Sequence, residues 1–135
     1  MDNVVIIRSG YDAFGRGDIP RVLELFDPEI EWNVPDTVGL DTPYKGPEAL
    51  AGFFGSLQQT WQELHVEPEE LIQIGDHRVL ALGHHHGRVV NGASVEIPFA
   101  HLWTLQDGQA VRFFEYSDAA LVLRAQGVVP EPSSA

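Results

Sequence analysis

Three stretches in the second half of this chain set ionisable groups among apolar neighbours: His84, His85 and His86 within Val79 to Arg88, His101 beside Trp103 within Val95 to Leu105, and Glu115 beside Tyr116 within Val111 to Ser117. They read as neighbouring strands, and polar groups in such places cost free energy unless they are paired, hydrated or used. A pocket wall able to move protons is the first expectation. A histidine exchanges a proton near neutral pH, and a carboxylate within reach would raise its pKa and orient its ring. A carboxylate facing an aromatic cavity would be pushed up by desolvation, which suits a general base. The same residues also fit a blander account, in which His101 is hydrogen-bonded inside an aromatic core and Glu115 to Tyr11, Tyr116 or a histidine. The sequence leaves both readings open.

The turns supply a register. A two-residue loop at Asn91-Gly92 would pair Val90 with Ala93, setting His84 opposite Phe99 and His86 opposite Ile97. Those histidines would then share a face with His101 and Trp103, and His85 would point away. A loop one residue longer reverses the assignment. For the next hairpin, a three-residue loop over Gln106 to Gly108 pairs Leu105 with Gln109 and puts Phe113 opposite His101 and Glu115 opposite Phe99. One face thus collects His84, His86, Phe99, His101, Trp103, Phe113 and Glu115, while Ala100, Leu102, Thr104 and Arg112 form the other. His84, His86 and His101 could in that register converge as a three-imidazole zinc site. Histidine runs are also common at solvated strand ends, and no metal is expected. His65 and His77 read as exposed.

The elements upstream must close this pocket. Val4, Ile7, Tyr11 and Phe14 lie at helical spacing in a first helix ending near Gly15 or Gly17. Asp18 reads as the N-cap of a second, short helix, with Pro20 in its first turn and Asp27-Pro28 ending it. Ile30 to Val34 is a candidate strand carrying Trp32 and Asn33, and Pro35 to Gly46 a turn-rich loop that could serve as a pocket rim. Pro47 and Glu48 open a third helix whose broad face carries Leu50, Phe53, Phe54, Leu57 and Trp61. A strand over about Leu64 to Ile74, kinked near Pro68, precedes the hairpins. After Asp118 as cap, Ala119 to Gln126 reads as a closing helix with Gly127 behind it, and residues 130–135 as a loose tail. Helices first and hairpin-connected strands after them give an α+β fold, one domain over residues 1–129.

Composition narrows the function classes. A length of 135 residues suits a single domain that buries roughly two thirds of its unfolded surface. Twenty acidic against eight basic residues leave a formal charge of −12, which opposes binding to nucleic acid or to anionic membrane surfaces. With no cysteine, disulfide and thiolate chemistry are excluded. The opening residues lack the pattern of a signal peptide and no apolar run is long enough to span a bilayer, so a cytoplasmic location is expected.

Four segments carry a family likeness: Tyr11-Asp12-Ala13-Phe14-Gly15-Arg16-Gly17-Asp18, Phe26-Asp27-Pro28-Glu29-Ile30-Glu31-Trp32, Tyr44-Lys45-Gly46-Pro47-Glu48-Ala49-Leu50, and Pro98-Phe99-Ala100-His101-Leu102-Trp103-Thr104-Leu105 before Asp107-Gly108. In order and spacing the chain resembles the SnoaL-like group of the nuclear-transport-factor-like superfamily. The resemblance implies a cone formed by a strongly bent mixed sheet on three N-terminal helices, a short C-terminal helix, a hydrophobic pocket and a homodimer through the outer sheet face. It also implies one of several activities, among them ketosteroid isomerase, polyketide cyclase, epoxide hydrolase and dehydratase, or ligand binding without catalysis. Fold does not select between them.

By the same resemblance, His101 falls near the position where ketosteroid isomerases carry a protonated aspartic acid in the oxyanion hole. Glu115 and Asn33 fall where limonene epoxide hydrolases carry a water-activating carboxylate and a water-holding asparagine. The hydrolases' Arg and Asp partners map near Gly83 and His85, and the isomerase base maps onto Trp32, so neither constellation is complete. The resulting expectation is a cofactor-independent acid/base enzyme, or a binding module, for a small hydrophobic, cyclic or polyketide-like compound. His101 and Glu115 are its candidate catalytic residues. Its candidate lining residues are Tyr11, Phe14, Trp32, Asn33, Phe53, Phe54, Trp61, His84, His86, Phe99, Trp103 and Phe113.

Overall fold

A computed structural model of the chain describes residues 2–34 and 44–117. The first helix, α1 (Asn3–Gly15), starts where the Asp2 carboxylate accepts a hydrogen bond from the Val4 amide at 2.7 Å. It buries Ile6, Ile7 and Ala13. Asp18 caps α2 (Ile19–Glu24) by accepting from the Arg21 amide, with Pro20 in the first turn where a missing N–H costs nothing. The Asp18 cap is the one expected from the sequence, but α2 stops before Asp27-Pro28.

The chain is already extended at that dipeptide, because β1 (Phe26–Asn33) begins four residues earlier than the expected Ile30. Proline cannot donate to a ladder, and the β1 register is accordingly irregular between Phe26 and Glu31. The two-residue β2 (Tyr44–Lys45) and α3 (Gly46–Thr60) follow. Trp61 does not extend the face of α3 as expected; it opens β3 (Trp61–Ile74) and pairs with Val89. The remaining strands are β4 (Arg78–Val89), β5 (Ser94–Gln106) and β6 (Gln109–Ser117). The expected rim loop over 35–43, the closing helix after Asp118 and the 130–135 tail lie outside the described residues.

The six strands form one curled sheet in the order β2-β1-β6-β5-β4-β3, with β1 and β6 parallel and the other neighbours antiparallel. Three helices cover one face, and the core between them gathers Ile6, Ile7, Phe26, Ile30, Trp32, Leu50, Val79, Trp103, Leu105 and Phe113. This is the α+β cone architecture expected from the sequence. No described helix is long and apolar enough to cross a membrane.

Two glycines let the edge strand bend. The β3 register slips between Trp61 and Glu63 and again between Pro68 and Glu70. Opposite those slips sit Gly87 and Gly83, where a Cβ would meet the Glu63 and Glu67 carbonyl oxygens at 1.9 and 2.0 Å. Only a residue without a side chain lets the bulged backbone approach so closely.

The two hairpins reverse the expected loop lengths. Val89 donates to the Ala93 carbonyl, so Val90, Asn91 and Gly92 make a three-residue loop with only Gly92 at positive φ. Asn91 instead uses its side-chain oxygen to accept from the Ala93 amide. Asp107 and Gly108 both take positive φ, 51° and 80°, as a two-residue type I′ loop requires. Val111 is then the extra, bulged residue of β6, between the pairs Leu105–Ala110 and Thr104–Arg112. The first change shifts the β4–β5 pairing by one residue, so His85 faces Ile97 and His84 faces Pro98. In the second hairpin loop and bulge offset each other, so the facing of His101, Phe113 and Glu115 is as expected, although the pairs become His101 with Glu115 and Trp103 with Phe113.

Candidate active site

Four elements converge on His101. The residue is 4% exposed, its ring stacked on Phe99 at 3.8 Å between centroids and held at both nitrogens. The Tyr11 hydroxyl, from α1, lies 2.6 Å from Nδ1, and Glu115 Oε1, from the facing residue of β6, lies 3.0 Å from Nε2. Trp103 Nε1, two residues along β5, donates to the Tyr11 oxygen at 3.0 Å. Because the indole can only donate, the tyrosine is left free to donate its own proton to Nδ1, and His101 in its neutral form then carries Nε2–H toward the carboxylate. From β4, His85 brings its Nε2 within 3.2 Å of the same Oε1. The Ser117 hydroxyl donates to the other carboxylate oxygen at 3.4 Å.

Burial and pairing set the charges. Desolvation works to raise the Glu115 pKa, but hydrogen bonds from His101 and His85, with their positive character, outweigh it and hold the carboxyl below the usual carboxylate range. The expectation of a desolvated, raised carboxyl is therefore overturned, because two imidazole donors share one oxygen. Burial lowers the His101 pKa, against the opposing pull of its Glu115 hydrogen bond and charge. Burial also raises Tyr11, only partly countered by the Trp103 hydrogen bond. The arrangement is a carboxylate between two imidazoles, one of them fixed from behind by a neutral phenol.

Most of the aromatic residues expected near the site are gathered there. Trp32 stacks on Phe113 at 3.8 Å and meets Phe53, Phe54 and Trp103 at 5.6 to 6.1 Å, while Phe14 lies 5.9 Å from Phe54. Phe113 also meets His101, at 4.9 Å. Four expected lining residues are not brought to this wall. His84 and His86 project from the opposite face, where they pair with Glu69 and Glu67 and where His86 stacks on His65. Their displacement results from the three-residue loop. Asn33 alternates with inward Trp32, pairs with outward Phe114 and donates its amide to the Phe113 carbonyl at 3.1 Å, so it holds a strand rather than a water. Trp61 stands at the start of the edge strand.

His85 takes the place given to His84 and His86. The signal that could have found it is Asn91, whose side chain can close a longer turn on its own backbone without adopting positive φ.

A cleft of about 670 Å³ opens between α1 and β3, walled by Tyr11, Phe14, Leu64, Val66 and Pro68. Val66 pairs directly with His85, and Tyr11 belongs to the hydrogen-bond chain, so the cleft adjoins the cluster. The ligand-type atoms of His85, His101 and Glu115 lie within 4.8 Å of one another. The expected three-histidine alternative of His84, His86 and His101 cannot form across two faces. In the trio that does converge, Nε2 of His101 and of His85 lie 3.0 and 3.2 Å from Glu115 Oε1, ordinary N–H···O separations.

The sequence from residue 7 to 113 matches the SnoaL-like domain family, and the chain belongs to that family. Among solved structures, an NTF2-like protein of unknown function from Burkholderia pseudomallei is 32% identical, with TM-score 0.86 over 93% of this chain and 98% of its own. TerC, crystallised with polyporic acid, is 26% identical, with TM-score 0.83 over 91% and 96% of the two chains. A SnoaL-like polyketide cyclase assigned by likeness in Jannaschia sp. shares the fold at 22% identity, with TM-score 0.81 over 95% and 93%. No curated protein matches the sequence.

Proposed function

We propose that this protein is an acid/base enzyme acting on an apolar cyclic small molecule without a bound cofactor, with His85 as the proton carrier. One observation carries the reading: a single carboxylate oxygen, Glu115 Oε1, is shared by Nε2 of His85 and of His101. His101 is engaged at both nitrogens and positions the carboxylate. His85 is engaged at one, and among the described residues its Nδ1 has no partner. An Nε2–H held toward an anion leaves Nδ1 with a lone pair, the arrangement a general base needs.

In a ketone substrate, Nδ1 would take a proton from the carbon next to the carbonyl. The C–H pair moves into the enolate, and the imidazolium formed is stabilised by Glu115. Returning the proton to another carbon isomerises the substrate, whereas attack of the enolate on a second carbonyl closes a ring. The carboxylate between imidazoles supports both outcomes. Tyr11 and Phe14 on the cleft wall, beside Leu64, Val66 and Pro68, support an apolar ring as the occupant, and the relationship to TerC supports a small organic ligand. Leu80, Leu82, Ala100, Leu102 and Phe114 share the face away from the helices, which supports a homodimer through that face.

Deuterium wash-in beside the carbonyl of 2-tetralone in heavy water tests the reading. The wild type should accelerate exchange and His85→Ala should lose at least about a hundredfold of that rate, the usual contribution of a positioned acid or base. Binding of the ketone with no accelerated exchange would leave the non-catalytic module as the function of this fold.

A further inference from the structure

The cleft beside the cluster has a chemical bias that its apolar wall does not explain. Arg8 and Arg16 stand on its α1 side. They are eight residues apart, which on a helix is about 12 Å along the axis with both near one face. The arginines in ion pairs among the described residues are Arg21, Arg88 and Arg112. Among those residues Arg8 and Arg16 form none within 4 Å, although Asp12 lies between them. Glu67 of β3 also borders the cleft, with its carboxylate 2.9 Å from His86 on the face away from the helices. In a chain carrying −12, with only eight basic residues, two guanidinium groups outside those pairs flank the rim that leads to Tyr11.

We infer that the substrate is an aromatic or polycyclic acid, an assignment that rests on the acid/base reading for the chemistry after binding. Its carboxylate is held by Arg8 and Arg16, and its ring lies along Tyr11, Phe14 and Val66 toward His85. A guanidinium presents paired donors that match a carboxylate, so a neutral ring compound would leave these groups unused. The cleft's 670 Å³ falls within the roughly 300–1,000 Å³ range of small-ligand pockets.

Calorimetry on the full chain with 2-naphthoate and its neutral counterpart 2-naphthamide tests the assignment. At low salt the acid should bind at least about fivefold tighter, the sum expected of two partly exposed ion pairs. The preference should shrink with added salt and vanish in the Arg8→Gln/Arg16→Gln double variant, while Arg78→Gln leaves it intact. Equal affinity, no binding of the acid up to millimolar concentration, or a preference surviving in the double variant would each overturn the inference. His85→Ala separates this from the proposed function, since it should abolish wash-in and still bind the acid. Naphthoate preference without wash-in in the wild type would sink the acid/base reading alone.

Discussion

His101 and Glu115 face each other directly across β5 and β6, and Nε2 of the first lies 3.0 Å from Oε1 of the second. The contact is charge-assisted and largely shielded from water, where such bonds are stronger than neutral ones. Everything else at the site either fixes one of these two groups or draws on the carboxylate. Glu115→Gln replaces an acceptor-only group by one that must also place two N–H donors between imidazoles. Loss of a hydrogen bond to a charged group costs about 1.5–3 kcal/mol. A folded protein with lowered thermal stability and wash-in reduced at least about a hundredfold is expected; unchanged exchange would remove Glu115 from the chemistry.

Tyr11→Phe deletes the donor to His101 Nδ1 and strands the Trp103 N–H. Tyr11 acts as a positioning residue, so the expected signature is a shifted pH profile of exchange together with a stability loss of about 1–3 kcal/mol for the buried donor left unpaired. A loss of stability with an unmoved pH profile would assign Tyr11 to packing alone.

Acid should destabilise the fold in two stages. His101 has a folded pKa below its unfolded value of about 6.5, so its contribution is complete above that pH and declines as pH falls beneath it. Glu115 is also depressed, so its contribution is present above an unfolded value of about 4.5 and is lost as pH falls further. Urea unfolding from about pH 8 to pH 3 should show stability starting to fall near pH 6.5 and falling further below about 4.5, with the lower stage reduced in Glu115→Gln. A flat profile between about pH 7 and 5 would contradict the buried neutral imidazole.

Two glycine substitutions should act in opposite directions. Gly83→Ala drives a Cβ into the Glu67 carbonyl and should cost at least the roughly 1–3 kcal/mol typical of overpacking. Gly55→Ala, within α3 and with nothing within 4 Å of the added atom, should stabilise by about 0.5–1 kcal/mol. Thermal melts of both variants measure the difference, and equal melting temperatures would refute the close β3–β4 approach.

How far the sequence could be read depended on whether a feature was local. Asp18 caps its helix through a bond spanning three residues, and the alternation from Phe99 to Leu105 states its own inward face. The inward set on β4 was not local. It depended on whether Asn91 or Asp107 would accept positive φ, a choice between two nearly equivalent Xaa-Gly pairs, and one residue of loop length exchanged His85 for His84 and His86. On β6 the bulge at Val111 offset the loop, so His101 and Glu115 come together even though the turn is shorter than expected. The sharing of one oxygen by two imidazoles, which reverses the expected direction of the Glu115 pKa, requires three strands at once and has no signature in any of them.

A carboxylate kept ionised between two imidazoles leaves one of them, His85, free to move a proton, and the proposed chemistry stands or falls on that. Carbon and nitrogen NMR of protein labelled in glutamate and histidine reads it directly at neutral to mildly alkaline pH. The expected result is an ionised Glu115 that titrates below the ordinary carboxylate range, His101 as the Nε2–H tautomer, and His85 Nδ1 without a proton. A protonated Glu115, or a His101 that carries its proton on Nδ1, would contradict it.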